Sequence, residues 1–164
     1  KLLILDFDCV LTDVSILLDN EGNEYKACHV RDGHGIKMLQ KAGIKVGIIT
    51  GRHSKVVERR AHELGITEVY QSCHIKSVAY EHLIEKFGIT DKEVAYIGDD
   101  IVDIPIFKRV GLSVAVADAT EETQAEAMLV TENRGGKGAV REVCDLILRS
   151  NGRWKELMDE YFRS

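Results

Sequence analysis

The chain has 164 residues, of which 45% are hydrophobic and 30% are charged, and its formal net charge is −5. This composition is that of a globular protein and excludes a disordered or fibrous one, and the length predicts one domain over residues 1–164. The acidic balance and the lack of Lys or Arg runs argue against a nucleic acid partner, because a phosphate backbone needs a basic face.

Short apolar runs alternate with amphipathic segments along the chain. Runs that are apolar throughout predict strands buried on both faces, at 2–5, 46–49, 94–97 and 112–116, with a short edge strand at 128–130. Helices are predicted between them, several ending at a glycine, at 35–42, 54–64, 77–87, 101–109, 138–148 and 154–162. Strand-helix alternation of this kind predicts an α/β fold with a doubly wound, mostly parallel sheet.

One segment interrupts the alternation between the first strand and its helix. Residues 15–18 and 24–29 flank a turn at 19–23 that is rich in Asp, Asn and Gly, which predicts a β-hairpin. The first arm carries the apolar residues Ile16, Leu17 and Leu18.

No apolar stretch approaches the roughly 20 residues that cross a bilayer, and no signal peptide is visible, so we expect a cytoplasmic chain without membrane contact. The four cysteines form no Cys-x-x-Cys pair and are expected to be reduced thiols: Cys9, Cys28, Cys73 and Cys144. Neither Cys28-His29 nor Cys73-His74 has the spacing of a structural zinc site, so zinc is not expected.

Two carboxylates follow the first predicted strand. Asp6 and Asp8 are two residues apart, so their side chains point the same way on an extended backbone. Open α/β sheets bind ligands at this end of their strands. Two acids there repel each other unless a cation lies between them, and oxygen ligands suit Mg²⁺. Considered alone, the pair is as consistent with a solvated turn or a helix cap as with a metal site.

Later strand ends carry further polar groups. Thr50-Gly51-Arg52 opens a helix whose backbone amides could bind an anion, although Thr50 could also be a simple N-cap. Asp99 and Asp100 follow a third strand, where acids either bind a metal or stabilise a helix N-terminus. Lys76 lies at the start of a helix, where a cation opposes the helix dipole, and this placement suggests a functional role.

In this order, these features resemble the haloacid dehalogenase superfamily of phosphohydrolases. The matching segments are 6–10 (Asp-Phe-Asp-Cys-Val), Thr50-Gly51-Arg52, Lys76 and 98–103 (Gly-Asp-Asp-Ile-Val-Asp). The hairpin and the segments 29–35, 111–119 and 135–143 resemble the phosphatases of 3-deoxy-D-manno-octulosonate 8-phosphate within that superfamily. Those are compact proteins without a cap domain, and the resemblance covers nearly the whole chain.

The resemblance implies a Mg²⁺-dependent phosphomonoesterase of lipopolysaccharide precursor biosynthesis that works through an aspartyl-phosphate. Asp6 is the implied nucleophile, and Asp8 the implied acid for the leaving oxygen and base for the hydrolytic water. Thr50 would hold the phosphoryl oxygens and Lys76 would balance their charge. The implied metal ligands are Asp6, the backbone carbonyl of Asp8, and Asp99, with Asp100 and Asp103 orienting Lys76 or metal-bound water.

The resemblance also implies contacts to the sugar acid, from Asp8, His29, Val30, Arg31, Asp32, Gly33, Lys37, Gly51, Arg52, Arg60 and Lys76. A guanidinium suits a carboxylate because its planar fork donates two parallel hydrogen bonds. The hairpins, at about residues 15–29, would assemble a homotetramer in which neighbouring subunits help to cover each site.

Three positions depart from the family pattern. Cys9 replaces the usual glycine, and a side chain there restricts the turn after Asp8. His29 and Lys37 stand where Asn and Arg are more common, which affects the sugar contacts and not the phosphoryl chemistry.

Two other functions stay open. The substrate could be another sugar acid phosphate, such as a nonulosonate 9-phosphate, because the phosphate motifs would be the same. The second open function is that of a non-catalytic assembly domain, related to the domains that are fused to sugar-nucleotide synthetases. The presence of Asp6, Asp8 and Lys76 together argues against a purely structural role.

Overall fold

The apolar runs form strands in the computed structural model, which describes residues 1–163. In chain order the strands are β1 (Leu2–Leu5), β2 (Leu17–Leu18), β3 (Glu24–Tyr25), β4 (Lys45–Ile49), β5 (Glu68–Tyr70), β6 (Val94–Gly98), β7 (Leu112–Ala115) and β8 (Leu129–Val130). Six of them form one sheet in the order β5-β4-β1-β6-β7-β8, and every pairing in it is parallel. The predicted α/β fold with a parallel sheet is confirmed.

Helices cover the sheet and bury its strands. They are α1 (Val30–Lys41), α2 (Lys55–Leu64), α3 (Lys76–Phe87), α4 (Ile104–Phe107), α5 (Glu121–Glu126), α6 (Ala139–Ser150) and α7 (Trp154–Arg163), with 3-10 turns at Asp91–Glu93 and Ile101–Asp103. All four side chains of β1 are buried at the centre of the sheet. The carboxyl ends of β1, β4 and β6 are therefore neighbours, since β1 pairs with β4 on one side and β6 on the other.

Two predicted helix boundaries were wrong. Helix α1 begins at Val30 and not at residue 35, because Gly33 and Gly35 lie inside the helix, where a Cβ would collide with side chains of α2 and α6. The helix predicted at 101–109 is a 3-10 turn followed by the short α4, whose first turn contains Pro105. Proline fits a first turn because the amide that it lacks would have no partner there. Strand β5 and helix α5 were not predicted.

The predicted hairpin is confirmed, with shorter arms than expected. Strand β2 pairs antiparallel with β3, and an isolated bridge joins Thr12 to Cys28 at its base. Asp19 closes the turn, since its Oδ1 accepts hydrogen bonds from the amides of Glu21 and Asn23 at 2.9 and 2.8 Å. The hairpin leaves apolar side chains exposed, namely Val14, Ile16, Leu17, Leu18 and Tyr25.

Residues 1–163 contain no helix that combines the length and the apolar character of a membrane span. All four cysteines are free thiols.

Candidate active site

A cavity of about 290 Å³ lies at the carboxyl ends of β1, β4 and β6. It collects the predicted catalytic residues from four separate parts of the chain. Its lining consists of Asp6, Asp8, Cys9, Thr50, Gly51, Arg52, Cys73, His74, Lys76, Asp99, Asp100 and Val102. This is the sheet edge at which open α/β folds bind their ligands.

Lys76 lines the cavity and pairs with two buried acids. It is the first residue of α3 and its side chain is 3% exposed. Its Nζ lies 2.5 Å from Asp6 Oδ2 and 2.6 Å from Asp103 Oδ1. Burial alone would lower the pKa of Lys76, but the charges of Asp6 and Asp103 outweigh it and raise that pKa. The lysine is therefore a fixed cation beside the Asp6 carboxylate.

Asp103 fixes the position of that lysine. Its carboxylate is fully buried, and Oδ1 also accepts a hydrogen bond from the Tyr96 hydroxyl at 2.7 Å. Oδ2 accepts from the amides of Asp99 and Asp100 at 3.0 and 3.3 Å. Four donors thus occupy Asp103, which leaves it poorly suited to bind a metal. Gly98 makes this packing possible, because a Cβ there would overlap the Asp103 carboxylate.

Unlike Asp103, Asp6 and Asp99 have carboxylate oxygens that can still bind a metal ion. Oxygens of Asp6, Asp99 and Asp103 lie within 4.8 Å of one another. Burial raises the pKa of Asp6 to about 6, although Lys76 opposes the shift. Burial, followed by the charges of Asp6 and Asp103, raises the pKa of Asp99 to about 7. Three acids beside one lysine leave excess negative charge, so the residues fit a hard divalent cation.

These shifts predict how stability depends on pH without metal. Both acids have folded-state pKa values above the unfolded value of 3.8, so their contribution to stability is largest below pH 4 and is lost as the pH rises to about 7. We expect this pair to lower the unfolding free energy by at least about 2 kcal/mol between pH 4 and pH 7.5, at about 1.4 kcal/mol per pKa unit.

Urea unfolding with EDTA at several pH values measures this effect. Added Mg²⁺ should flatten the dependence, because a cation favours the ionised acids. Asp99→Asn should flatten it without metal. A wild-type profile as flat as that of Asp99→Asn, both in EDTA, would contradict the expectation.

Asp8 points away from the acid cluster, toward the hairpin. Its Oδ1 accepts a hydrogen bond from Lys26 Nζ, and its Oδ2 lies 3.9 Å from Arg52 Nε. The Asp8 side chain is not a member of the metal-binding group found among residues 1–163, and the metal contact predicted for its backbone carbonyl stays a prediction. Sequence reasoning missed Lys26 and its neighbour Glu24. Their spacing of two on a predicted strand could have placed both on one face.

Thr50 is held inside the cavity wall and does not cap a helix. It is 1% exposed, its amide donates to Tyr70 O at 2.9 Å, and its carbonyl accepts from the Cys73 amide at 3.0 Å. The N-cap of α2 is Ser54, whose hydroxyl accepts from the Val56 amide. The capping alternative for Thr50 is therefore wrong. Asp100 does cap a turn, since its Oδ1 accepts from the Ile101 amide at 2.8 Å.

The predicted sugar contacts fall into two groups. Four of them line the cavity, namely Asp8, Gly51, Arg52 and Lys76. The others are not among its lining residues within the described chain, namely His29, Val30, Arg31, Asp32, Gly33, Lys37 and Arg60. Asp32 and Gly33 are buried, and Asp32 Oδ1 accepts the Arg141 amide at the start of α6. Their burial gives Asp32 and Gly33 a packing role and does not support direct contact with a sugar in this cavity.

Arg60 lies in a separate cavity of about 230 Å³ beside the hairpin base, together with Val30 and Lys26. Val30 is 81% exposed. A ligand centred on Asp6 does not meet these side chains within one cavity, so their contacts with substrate stay predictions.

Cys9 has a left-handed backbone conformation, with φ at +65°. A left-handed conformation costs a residue with a Cβ roughly 1–2 kcal/mol, which explains why glycine is usual there. Gly135 packs directly on this turn, since a Cβ on it would overlap the Cys9 carbonyl oxygen. Burial, aided by the Asp99 charge, raises the pKa of the Cys9 thiol to about 12. The thiol therefore stays protonated beside the acid cluster.

Comparison with known proteins assigns this fold and this site to a class. The model of the haloacid dehalogenase-like hydrolases matches residues 22–111, and the chain belongs to that family. The predicted resemblance to the superfamily is confirmed. Among its relatives, the 3-deoxy-D-manno-octulosonate 8-phosphate phosphatase KdsC of Escherichia coli strain K12 is 51% identical over 156 residues, which cover 95% of this chain and 83% of that protein.

Solved structures give the same assignment. The 3-deoxy-D-manno-octulosonate 8-phosphate phosphatase of Yersinia pestis is 50% identical, with a TM-score of 0.93 over 94% of this chain and 83% of that one. The corresponding enzyme of Moraxella catarrhalis is 40% identical, with a TM-score of 0.96 over 98% of this chain and 92% of that one. That structure is a complex with magnesium ion, phosphate ion and a KDO molecule.

Proposed function

We propose that this hydrolase is a Mg²⁺-dependent phosphatase that converts 3-deoxy-D-manno-octulosonate 8-phosphate to the sugar acid and inorganic phosphate. The observation that carries the proposal is the contact of Lys76 with both Asp6 and Asp103, beside Asp99 at one cavity. Two relatives named for this activity, at 51% and 50% identity, support the choice of substrate. A chain kept only for assembly would not need a buried lysine between acids.

In the proposed reaction, Asp6 Oδ attacks phosphorus while the bond to the leaving sugar oxygen breaks. Its Oδ1 accepts from the Phe7 amide at 2.6 Å and its Oδ2 from Lys76, so the carboxylate is held in one orientation. Such preorganisation favours in-line attack on a phosphate whose charge is neutralised. Thr50 and nearby amides bind phosphoryl oxygens. Asp8 donates a proton to the leaving oxygen and then accepts one from water.

Asp6, Asp99 and the Asp8 backbone carbonyl would hold Mg²⁺ in this proposal. The bound ion would neutralise phosphate charge and orient the ester for attack. Lys76 keeps its proton throughout and balances the second charge of the phosphate. The excess of acids over cations at the cavity supports this assignment, and Asp103 contributes indirectly through Lys76.

The test is a phosphate-release assay with purified protein. With Mg²⁺, turnover should be fastest on 3-deoxy-D-manno-octulosonate 8-phosphate, slower by at least ten-fold on a nonulosonate 9-phosphate, and absent in EDTA. A preference for the 9-phosphate would assign the alternative substrate. No turnover on any sugar acid phosphate would support a non-catalytic assembly domain.

We also propose that the chain forms a homotetramer through its hairpin and works in the cytoplasm. Leu17, Leu18 and Tyr25 are 58%, 66% and 54% exposed on one hairpin, and neighbouring apolar side chains of this kind mark interaction surfaces. The free thiols of the four cysteines fit a reducing compartment.

Light scattering tests this assembly. Wild-type protein should have the mass of four chains at micromolar concentration, and Leu18→Glu should reduce that mass. The control Met128→Glu changes a side chain that is 65% exposed away from the hairpin and should leave the mass unchanged. A wild-type monomer would contradict the proposal.

A further inference from the structure

The hairpin reaches the catalytic cavity through a ring of four charges, in which the Lys26 side chain is buried and the Arg52 side chain is 49% exposed. Lys26 Nζ contacts Asp8 Oδ1 and lies 3.1 Å from Glu24 Oε1. Arg52 Nη2 lies 3.0 Å from the same Glu24 oxygen, and Arg52 Nε lies 3.9 Å from Asp8 Oδ2. Acid and base therefore alternate around this ion ring, which consists of Asp8, Lys26, Glu24 and Arg52.

Lys26 is costly to bury, which argues that it serves the site. The Lys26 side chain is 1% exposed, and removing an ammonium from water costs several kcal/mol that an ion pair only partly offsets. An apolar side chain would join the hairpin to the sheet without this cost. The position of Lys26 depends on its partners, and one of them is a carboxylate at the catalytic cavity.

The two carboxylate oxygens of Asp8 differ in their hydrogen bonding within the ring. Oδ1 accepts a hydrogen bond from Lys26, whereas Oδ2 is buried and accepts no hydrogen bond within residues 1–163. A buried oxygen without a donor is unfavourable unless a ligand supplies one. Lys26 thus fixes the carboxyl group by one oxygen and leaves the other without a donor. The half-exposed Arg52 side chain lies 3.9 Å from that second oxygen, and its displacement by a bound substrate would open Oδ2 to the leaving group or to water.

We propose that Lys26 and Glu24 are positioning residues, Lys26 through Asp8 and Glu24 through Arg52. The inference rests on the proposed function. As the bond from Asp6 to phosphorus forms and the ester P–O bond breaks, Asp8 gives the proton on Oδ2 to the leaving oxygen. Water then attacks the phosphorus of the aspartyl-phosphate and gives a proton to Oδ2, while the bond from phosphorus to Asp6 breaks and releases inorganic phosphate and the Asp6 carboxylate. Oδ1 stays on Lys26, which neither gains nor loses a proton.

The two residues have different kinetic consequences. General acid catalysis contributes about 10²–10⁴-fold, so Lys26→Met should lower kcat/KM for a sugar acid phosphate by about 10–100-fold. The same variant should change kcat/KM for p-nitrophenyl phosphate by less than about three-fold, because nitrophenolate leaves without a proton. Glu24→Gln frees Arg52 and should raise KM for the sugar acid phosphate by about ten-fold, with kcat nearly unchanged.

Matched controls separate these effects from general damage. Lys155→Met and Glu21→Gln make the same changes at exposed positions and should leave both substrates unaffected. Lys26→Arg keeps the cation and should recover most of the loss of Lys26→Met. In an Asp8→Ala background, Lys26→Met should cause no further loss, because its effect passes through Asp8. Thermal unfolding of each variant checks that it is folded.

The outcomes are distinguishable. An equal loss on both substrates in folded Lys26→Met, or an additive loss in the double variant, would overturn the inference. If Lys26→Met does not fold, the polar variant Lys26→Gln decides: a loss confined to the sugar acid phosphate supports the inference, and an equal loss on both substrates, or no loss on either, overturns it. If wild-type protein hydrolyses p-nitrophenyl phosphate and no sugar acid phosphate, the proposed function fails. The positioning role is then tested on a simple alkyl phosphate, where the same contrast is expected and its absence refutes it.

Discussion

Asp6→Asn is expected to lower kcat for phosphate release by at least about 10³-fold, because removing a covalent nucleophile abolishes the intermediate. The fold should persist. Lys76 retains its hydrogen bond to Asp103 at 2.6 Å, and an amide has nearly the shape of the carboxylate it replaces. The loss should therefore be chemical and not structural, with an unfolding midpoint close to that of the wild type.

Two measurements check this expectation. Steady-state phosphate release gives the rate, and mass spectrometry of acid-quenched reactions should find a phosphoryl adduct on the peptide containing Asp6 in wild type only. Asp159→Asn, the same substitution at an exposed position on α7, is the control and should retain full activity. Activity in Asp6→Asn within ten-fold of the wild type would exclude Asp6 as the nucleophile.

The main features of fold and site could be predicted because they depend on local patterns. Leu2–Leu5 is apolar throughout, which indicates a strand buried on both faces, and parallel pairing brings the residues after each strand to one edge. Asp6, Thr50 and Asp99 follow three such strands, so their meeting depends on topology alone. Lys76 could be included because a cation at a helix start is unfavourable without acidic partners.

Features that depend on packing between distant segments could not be predicted. Strand β5 is only three residues long and mixes polar with apolar side chains, so no run marked it. The start of α1 was predicted five residues too late, at Gly35, because the helical role of Gly33 depends on α2 lying against it. The contact of Lys26 with Asp8 joins residues 18 apart, and it depends on how the hairpin packs against the turn after β1, which no pattern in the sequence specifies.

Lys76→Met is expected to lower both stability and activity. Without metal, removing one partner of a buried ion pair costs about 3–5 kcal/mol of unfolding free energy, since the remaining charges are left uncompensated. Here Asp6 and Asp103 would lose the lysine that contacts both of them, and the nearby Asp99 would lose its favourable charge. The kcat for phosphate release should fall by at least about 10²-fold, because the cation also balances the charge of the reacting phosphate.

Lys86→Met is a matched control on the same helix. Lys86 pairs with Glu68 at 2.9 Å, but its side chain is 47% exposed, against 3% for Lys76. Glu68 is only 11% exposed, but it also accepts hydrogen bonds from the hydroxyls of Thr67 and Tyr70, so it keeps donors when Lys86 is replaced. A pair with a half-exposed lysine contributes about 1 kcal/mol, so urea unfolding in EDTA should separate the two variants by at least about 2 kcal/mol. Mg²⁺ should restore more stability to Lys76→Met than to Lys86→Met, because only the former variant removes the cation from a cluster of acids that could hold a metal ion. Equal losses in the two variants would show that the acid cluster does not depend on Lys76 for its charge balance.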